Sequence, residues 1–165
     1  MKAANIHRHT GARHEPVLEP RHFDPYLEAG KPAHDAVCPE CRAVFRQGRW
    51  AWGDAPKHAA HEFCPACLRI RDRFPGGFVT LKGAFVEAHR EELRQLVHAR
   101  EEHEKAEHPL ERLMAVKEMP NAIEISTTGT HLARTIASAV KSAYDGHLNT
   151  RYLSDENLVR VVWTR

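Results

Sequence analysis

No stretch of this 165-residue chain stays apolar over the roughly 18 residues a membrane helix needs. Its opening segment, Met1 to Arg13, is polar and rich in histidine, without the apolar centre of a secretory signal. These absences predict a cytoplasmic protein. No G-x-x-x-x-G-K-[ST] motif occurs, which leaves no nucleotide phosphate loop. A zincin-like HExxH is also missing: HEKAEH sets His103 and His108 five residues apart, on different helix faces, and both read as solvated. Aromatic residues make up only 7% of the chain and cysteines number four. In a small secreted protein four cysteines would suggest two disulfides. A longer chain without an export signal points instead to metal ligands in a reducing compartment.

The cysteines come as CPEC (Cys38, Cys41) and CPAC (Cys64, Cys67), separated by 22 residues. A two-residue gap lets both sulfurs of a pair reach one tetrahedral ion at about 2.3 Å, so two such pairs predict one Zn²⁺ held by four thiolates. That shell is closed and leaves no position for water or substrate, which argues against metal catalysis. A competing ligand set would replace one cysteine by His58 or His61; the closed site places both on the loop instead. Thioredoxin-like redox chemistry needs only one pair and a βαβ setting, so matched pairs favour metal.

The formal charge of +2 falls close to neutral once four thiolates surround a divalent ion. Its distribution is more informative. Residues 38–82 hold eight Lys/Arg against four Asp/Glu, whereas residues 83–118 hold six against nine. A basic cysteine module therefore stands beside an acidic helical one.

Along the chain, residues 1–36 carry Pro16, Pro20, Pro25 and Pro32 without an apolar period and read as an extended or disordered arm, dockable only through Phe23, Tyr26 and Leu27. Residues 37–82 read as a zinc ribbon with short strands near Ala43–Phe45 and Arg49–Trp52, ending in an FPGG turn and a brief strand, Phe78–Leu81. Residues 83–118 form a helical segment opened by Gly83. Phe85, Val86, His89, Leu93, Leu96, Val97 and Arg100 share one face there. The charged stretch to Glu107 reads as an exposed projection supported by Glu101 and Lys105. His108–Pro109 breaks this helix, and a second short helix carries Leu110, Leu113 and Met114. Residues 119–165 predict a βαββ unit. Its strand is Ala122–Ile125 and its helix Thr130–Tyr144, with a stripe of Leu132, Ile136, Ala139, Val140 and Ala143 and a Gly146 cap. A hairpin of Leu148–Leu153 and Leu158–Trp163 follows. The fold class is α+β: a four-cysteine zinc ribbon, a long helix and a C-terminal βαββ unit.

Arg42, Arg46, Arg49, Arg69, Arg71 and Arg73, interleaved with Phe45, Trp50 and Trp52, combine phosphate-pairing forks with stackable rings, the composition of an RNA-facing surface. In the competing reading Trp50 and Trp52, two apart on a strand and on one face, are core, and the arginines solvate it. At STTGTH, free N–H groups of a helix start meet Thr128, Thr130 and His131, with Arg134 one turn on and Lys141 on the same exposed face. Such a place suits an RNA phosphate. Its competing reading is a helix capped by Thr128 or Thr130.

CPxCRAVFxxGRWxW, FCPACxRIxDRFPGGxVxLxGxF, EKAEHPLER and STTGTHLARTIASAVKSAYDG together resemble a family of small bacterial zinc-ribbon proteins, over most of the chain after Asp24. More distantly, paired CxxC motifs with GRW between them are similar to the N-terminal zinc module of the large-ribosomal-subunit export adaptor of eukaryotes and archaea. That resemblance implies ribosome binding. The reading that results is a non-enzymatic, ribosome-associated RNA-binding factor. One alternative is a protein-interaction module presenting its acidic helix, Glu101–Glu107, to a basic partner. Another is a hydrolase or nuclease using His131, Arg134 and Glu124.

Overall fold

The computed structural model describes residues 24–153 and 157–165. The arm expected over residues 1–36 thus falls outside the described residues up to residue 23. From Asp24 onward it is folded, not extended. Helix α1 spans Pro25–Ala29; Asp24 caps it by accepting from the Tyr26 and Leu27 N–H groups, and Pro25 fits the first helical position.

A small sheet surrounds the cysteines. Strands β1 (Ala36–Val37), β2 (Val44–Arg46), β3 (Arg49–Ala51) and β4 (Ala60–His61) run in the order β3-β2-β1-β4, with β1 and β4 parallel and the other pairs antiparallel. A two-residue turn joins β2 to β3, with Gln47 and Gly48 both at positive φ, the backbone that follows the twist of a tight hairpin. β3 ends at Ala51, so Trp50 and Trp52 do not share a strand face as expected. Trp50 is buried and its indole donates to the Gly30 carbonyl at 2.8 Å, while Trp52 lies beyond the pairing and is 39% exposed. Helix α2 (Pro65–Asp72) follows and is closed by Arg73 in the left-handed conformation.

The strand expected at the end of the cysteine module, β5 (Gly77–Lys82), pairs with no strand of the small sheet. It is the centre of a second one, ordered β6-β7-β5-β9-β8. The other members are β6 (Leu113–Met119), β7 (Ala122–Thr127), β8 (His147–Leu153) and β9 (Leu158–Thr164); β5 and β9 run parallel and all other pairs antiparallel. The second short helix expected around Leu110, Leu113 and Met114 is instead the start of edge strand β6, since pairing with β7 decides the conformation of so short an apolar run. The β8–β9 hairpin pairs Leu153 with Leu158; residues 154–156 of its turn lie outside the described residues.

Three helices cover one face of this sheet. The single helix expected after Gly83 is two: α3 (Ala84–Ala88) and α4 (Arg90–Glu107) meet at His89, whose φ of −122° leaves the helical region. Its ring stacks on Phe85 at 4.0 Å. Val86, Leu93 and Val97 from these helices are fully buried together with Val79, Leu81, Ile123, Ile125, Val159 and Trp163 of the sheet. Helix α5 (Thr130–Tyr144) buries Leu132, Ala133, Ile136, Ala137 and Val140. Ala133 and Ala137 thus take the places expected for Ala139 and Ala143, letting the helix lie close to β5. Asp145, not Gly146, caps it. The fold is α+β, with five helices and two sheets among the described residues, and no described helix is long and apolar enough to cross a membrane.

Candidate metal centre

Two backbone turns bring the four thiols together. In the first, the Arg42 N–H donates to the Cys38 carbonyl and the Cys38 N–H to the Ala43 carbonyl, with Arg42 at φ 68° closing the loop between Cys38 and Cys41. The second is the start of α2. Cys64 is its N-cap, Pro65 occupies the first position, and the Cys64 sulfur accepts from the Cys67 N–H at 3.5 Å. The Cys64 N–H in turn points at the Cys38 sulfur, 3.4 Å away, tying one turn to the other.

All four sulfurs lie within 4.8 Å of one another, and those of Cys41 and Cys64 are 3.7 Å apart. Four sulfurs about 2.3 Å from a tetrahedral centre stand roughly 3.8 Å from each other, so the set fits one ion. Cys38, Cys64 and Cys67 are at most 2% exposed; only Cys41 reaches partly to solvent. All four cysteines are free thiols. His58 and His61 are exposed and form no part of the cluster.

The hydrogen bonds among these sulfurs shift their acidities in opposite directions. The Cys41 thiol is held far below the usual range, first by its hydrogen bond with Cys64 and then by that with Cys67. The Cys64 thiol is pushed far up by its hydrogen bond with Cys41, then by Cys67 and burial. Cys67 is pushed up to about 12, chiefly by its hydrogen bond with Cys41. Four thiols this close together would lose their protons to a divalent cation and hold it as thiolates.

The neighbour that completes this centre comes from far along the chain. Arg112, at the threshold of β6, is 7% exposed and directs its guanidinium at the sulfurs of Cys67 (3.3 Å) and Cys64 (3.9 Å), with Nε donating to the Pro109 carbonyl at 2.7 Å. Burial opposes its charge, but the hydrogen bond with Cys41 and the charges of the three nearby sulfurs outweigh it, and Arg112 is more firmly protonated than usual. The preceding residue serves a different charge. Glu111 turns its carboxylate onto the start of α5 and accepts from the Leu132 N–H at 2.9 Å. Thr128, buried between the two, accepts from the Arg112 N–H and donates to the Leu110 carbonyl at 2.6 Å. The sequence offered no local signal for either role, because both partners lie at least 16 residues away.

No known family model, curated protein or solved structure matches the chain.

Several residues expected on an RNA surface have other work. Arg69 is 3% exposed, pairs with Asp24 at 2.7 Å, donates to the Phe74 carbonyl and lies 4.5 Å over the Tyr26 ring. It is a buried strut, since both terminal nitrogens of its fork are bonded within the protein. Asp24 also accepts from Asn157 at 2.9 Å, so this ion pair ties α1, α2 and the start of β9 together. Trp50 is core, and Trp52 donates to the Lys105 carbonyl at the end of α4 and faces Arg112.

At STTGTH the helix cap is Gly129, without a side-chain cap, and neither Thr128 nor Thr130 caps it. The anion expected there is supplied by the chain itself: a Cβ on Gly129 would come within 2.5–2.6 Å of both Glu111 carboxylate oxygens. His131 pairs with Glu104 at 3.1 Å, and Glu124 lies on the sheet face opposite α5, so His131, Arg134 and Glu124 are not assembled into one site. The stretch expected to project from α4 is tied down too. Glu101 accepts from the Leu113 N–H at 2.8 Å and the Glu104 side chain is only 12% exposed, which removes two carboxylates from the expected acidic face.

Arg46, Arg49, Arg71, Arg73, Arg134 and Lys141 remain exposed. Arg71 lies over the Phe63 ring at 4.5 Å. Arg134 lines a groove of about 860 Å³ between α4 and α5, with Arg100, His103 and His131.

Proposed function

We propose that Cys38, Cys41, Cys64 and Cys67 hold one structural Zn²⁺ in a zinc ribbon, and that the ribbon presents a basic surface to RNA in a non-enzymatic, ribosome-associated factor. When bound, the ion supplies a four-way cross-link that the short strands around it cannot supply by packing. The chain's own residues do the rest. Arg112 offsets part of the negative charge of four thiolates, and backbone N–H groups of Cys64 and Cys67 orient two of the sulfurs.

The observation that carries the RNA reading is the β2–β3 hairpin. Arg46 and Arg49 are directly opposed across its two-residue turn and both are exposed. Like charges so placed repel and weaken a hairpin. Asp35, 3.4 Å from Arg46, balances only one of them. A phosphate between the two guanidinium groups would relieve the repulsion, and arginine forks suit it. The resemblance to the ribosomal export adaptor's zinc module supports the ribosome as the source of that RNA.

Co-sedimentation with ribosomes at low and high salt tests this. Binding should be present at low salt, lost at high salt, and weakened in the Arg46→Ala/Arg49→Ala double variant. The salt slope should fall by roughly 0.7–0.9 for each phosphate contact removed. Absence of low-salt association, or an unchanged slope in the double variant, refutes the reading.

A further inference from the structure

Among the described residues, the apolar core lies on one face of the five-stranded sheet and the other face is half-buried to exposed. Val79 and Leu81 of β5 point to the helices, and Phe78, Thr80 and Lys82 point away. The registers place their neighbours in rows across the strands. One row runs Ala115, Ser126, Phe78, Arg160, Arg151, and the next Lys117, Glu124, Thr80, Val162, Asn149. α3, α4 and α5 all pack on the opposite face, and on this one only the end of α2, at Ile70, stands alongside among the described residues.

Its chemistry is one-sided. These rows and the next position of β5 carry Lys82, Lys117, Arg151 and Arg160 against one carboxylate, Glu124. The Arg160 guanidinium lies 4.5 Å over the Phe78 ring, forming a two-layer flat stack at the middle of the sheet. Beside it is a cavity of about 510 Å³. Phe78, Lys117 and Ser126 line it from the sheet, and Ile70 and Arg73 from α2, so the open face and the cysteine module share one concavity. Ile70, which lines it, is 38% exposed.

We infer that this open sheet face is a platform for single-stranded RNA, whose bases stack on the Phe78–Arg160 pair while Arg73, Lys117 and Arg151 hold phosphates. This rests on the RNA reading above and adds a second surface to it. Cations in excess of carboxylates select a polyanion. Flat aromatic and guanidinium planes select one whose bases are unstacked, and sheets with exposed aromatics stack two or three such bases. Neighbouring strands stand about 4.8 Å apart, so a row from β6 to β8 spans roughly 19 Å, room for such a segment. Residues 1–23 are a poor alternative cover: with Lys2, Arg8, Arg13 and Arg21 against Glu15 and Glu19, they have the same sign as the face.

The test uses the full-length zinc-loaded protein, a fluorescein-labelled single-stranded polyuridine oligonucleotide, and an RNA duplex of the same length, read by anisotropy. Phe78→Ala should weaken single-strand binding about fivefold or more, because one stacking partner is lost. Arg160→Ala, an exposed position that tests the same stack with little risk to folding, should weaken it similarly, and Arg151→Ala, which removes one phosphate contact, should lower the salt slope by roughly 0.7. Duplex binding should change little in either. Unaltered single-strand affinity in both variants, with binding lost in Arg46→Ala/Arg49→Ala, confines RNA to the hairpin and overturns this inference while the reading of the function stands. No binding of either probe by the native protein overturns both. Concentration-dependent self-association abolished by Arg160→Glu, without single-strand binding, makes a second copy the occupant and also overturns it.

Discussion

The two sheets of this molecule are held together by different means. Around the large sheet, fifteen buried residues from three strands and three helices form one apolar core. Around the small sheet, strands of two or three residues enclose a cluster of eight buried residues, three of them cysteines and three alanines. Burial contributes about 25 cal/mol per Å² of apolar surface, and alanines and short strands offer little of it. The first region can rely on packing, whereas the second must rely on the cysteine centre and the Asp24–Arg69 strut.

That contrast predicts a ranking of perturbations. The largest effect should come from the cysteines. A structural zinc contributes on the order of 10 kcal/mol to folding, so Cys64→Ser should abolish the one zinc per chain expected from elemental analysis. The near-UV signal of Trp50 should go with it while the far-UV helical signal of α4 and α5 largely persists. Simultaneous loss of both signals would show that the two regions unfold as one. Next is Asp24→Ala, which leaves Arg69 buried without its partner and should cost about 3–5 kcal/mol, measured by urea unfolding. Ile136→Ala, in the apolar core, should cost about 2–5 kcal/mol and leave zinc content unchanged. A fall in zinc content there would erase the distinction between the regions.

Smallest is the response of Glu111. Burial raises its carboxyl above the ordinary range, more than the opposing Leu132 N–H lowers it. A raised folded value means that its contribution is fully present below the unfolded value of about 4.3 and is lost as pH rises through the folded one. Relative to Glu111→Gln, the native protein should therefore lose stability between mildly acidic and neutral pH. A flat difference over that range would mean that Glu111 titrates normally.

Signals contained within a few residues were legible in the sequence. The cysteine pairs announce themselves because each CPxC is a local turn, and the bounds of α5 follow from one strong apolar period. Less legible was everything decided by distant partners. Leu110, Leu113 and Met114 have helical spacing, yet Leu113 onward is a strand because β7 offers its edge. Arg69 looks like any exposed arginine until Asp24, 45 residues earlier, is placed beside it. Arg112 and Glu111 stand in an unremarkable EHPLER, and their roles exist only once the cysteines and the start of α5 flank that turn.

The parallel pairing of β5 with β9 also bears on how the protein is made. Gly77–Lys82 is synthesised more than 70 residues before its partner along one whole edge, Val159–Thr164. Until that strand is available, the central strand of the sheet has an unpaired edge beside apolar side chains, a situation that invites association with other chains. Contacts so distant along the chain also slow folding. Nascent or truncated chains ending before residue 158 should therefore be the form most dependent on chaperones and most readily degraded.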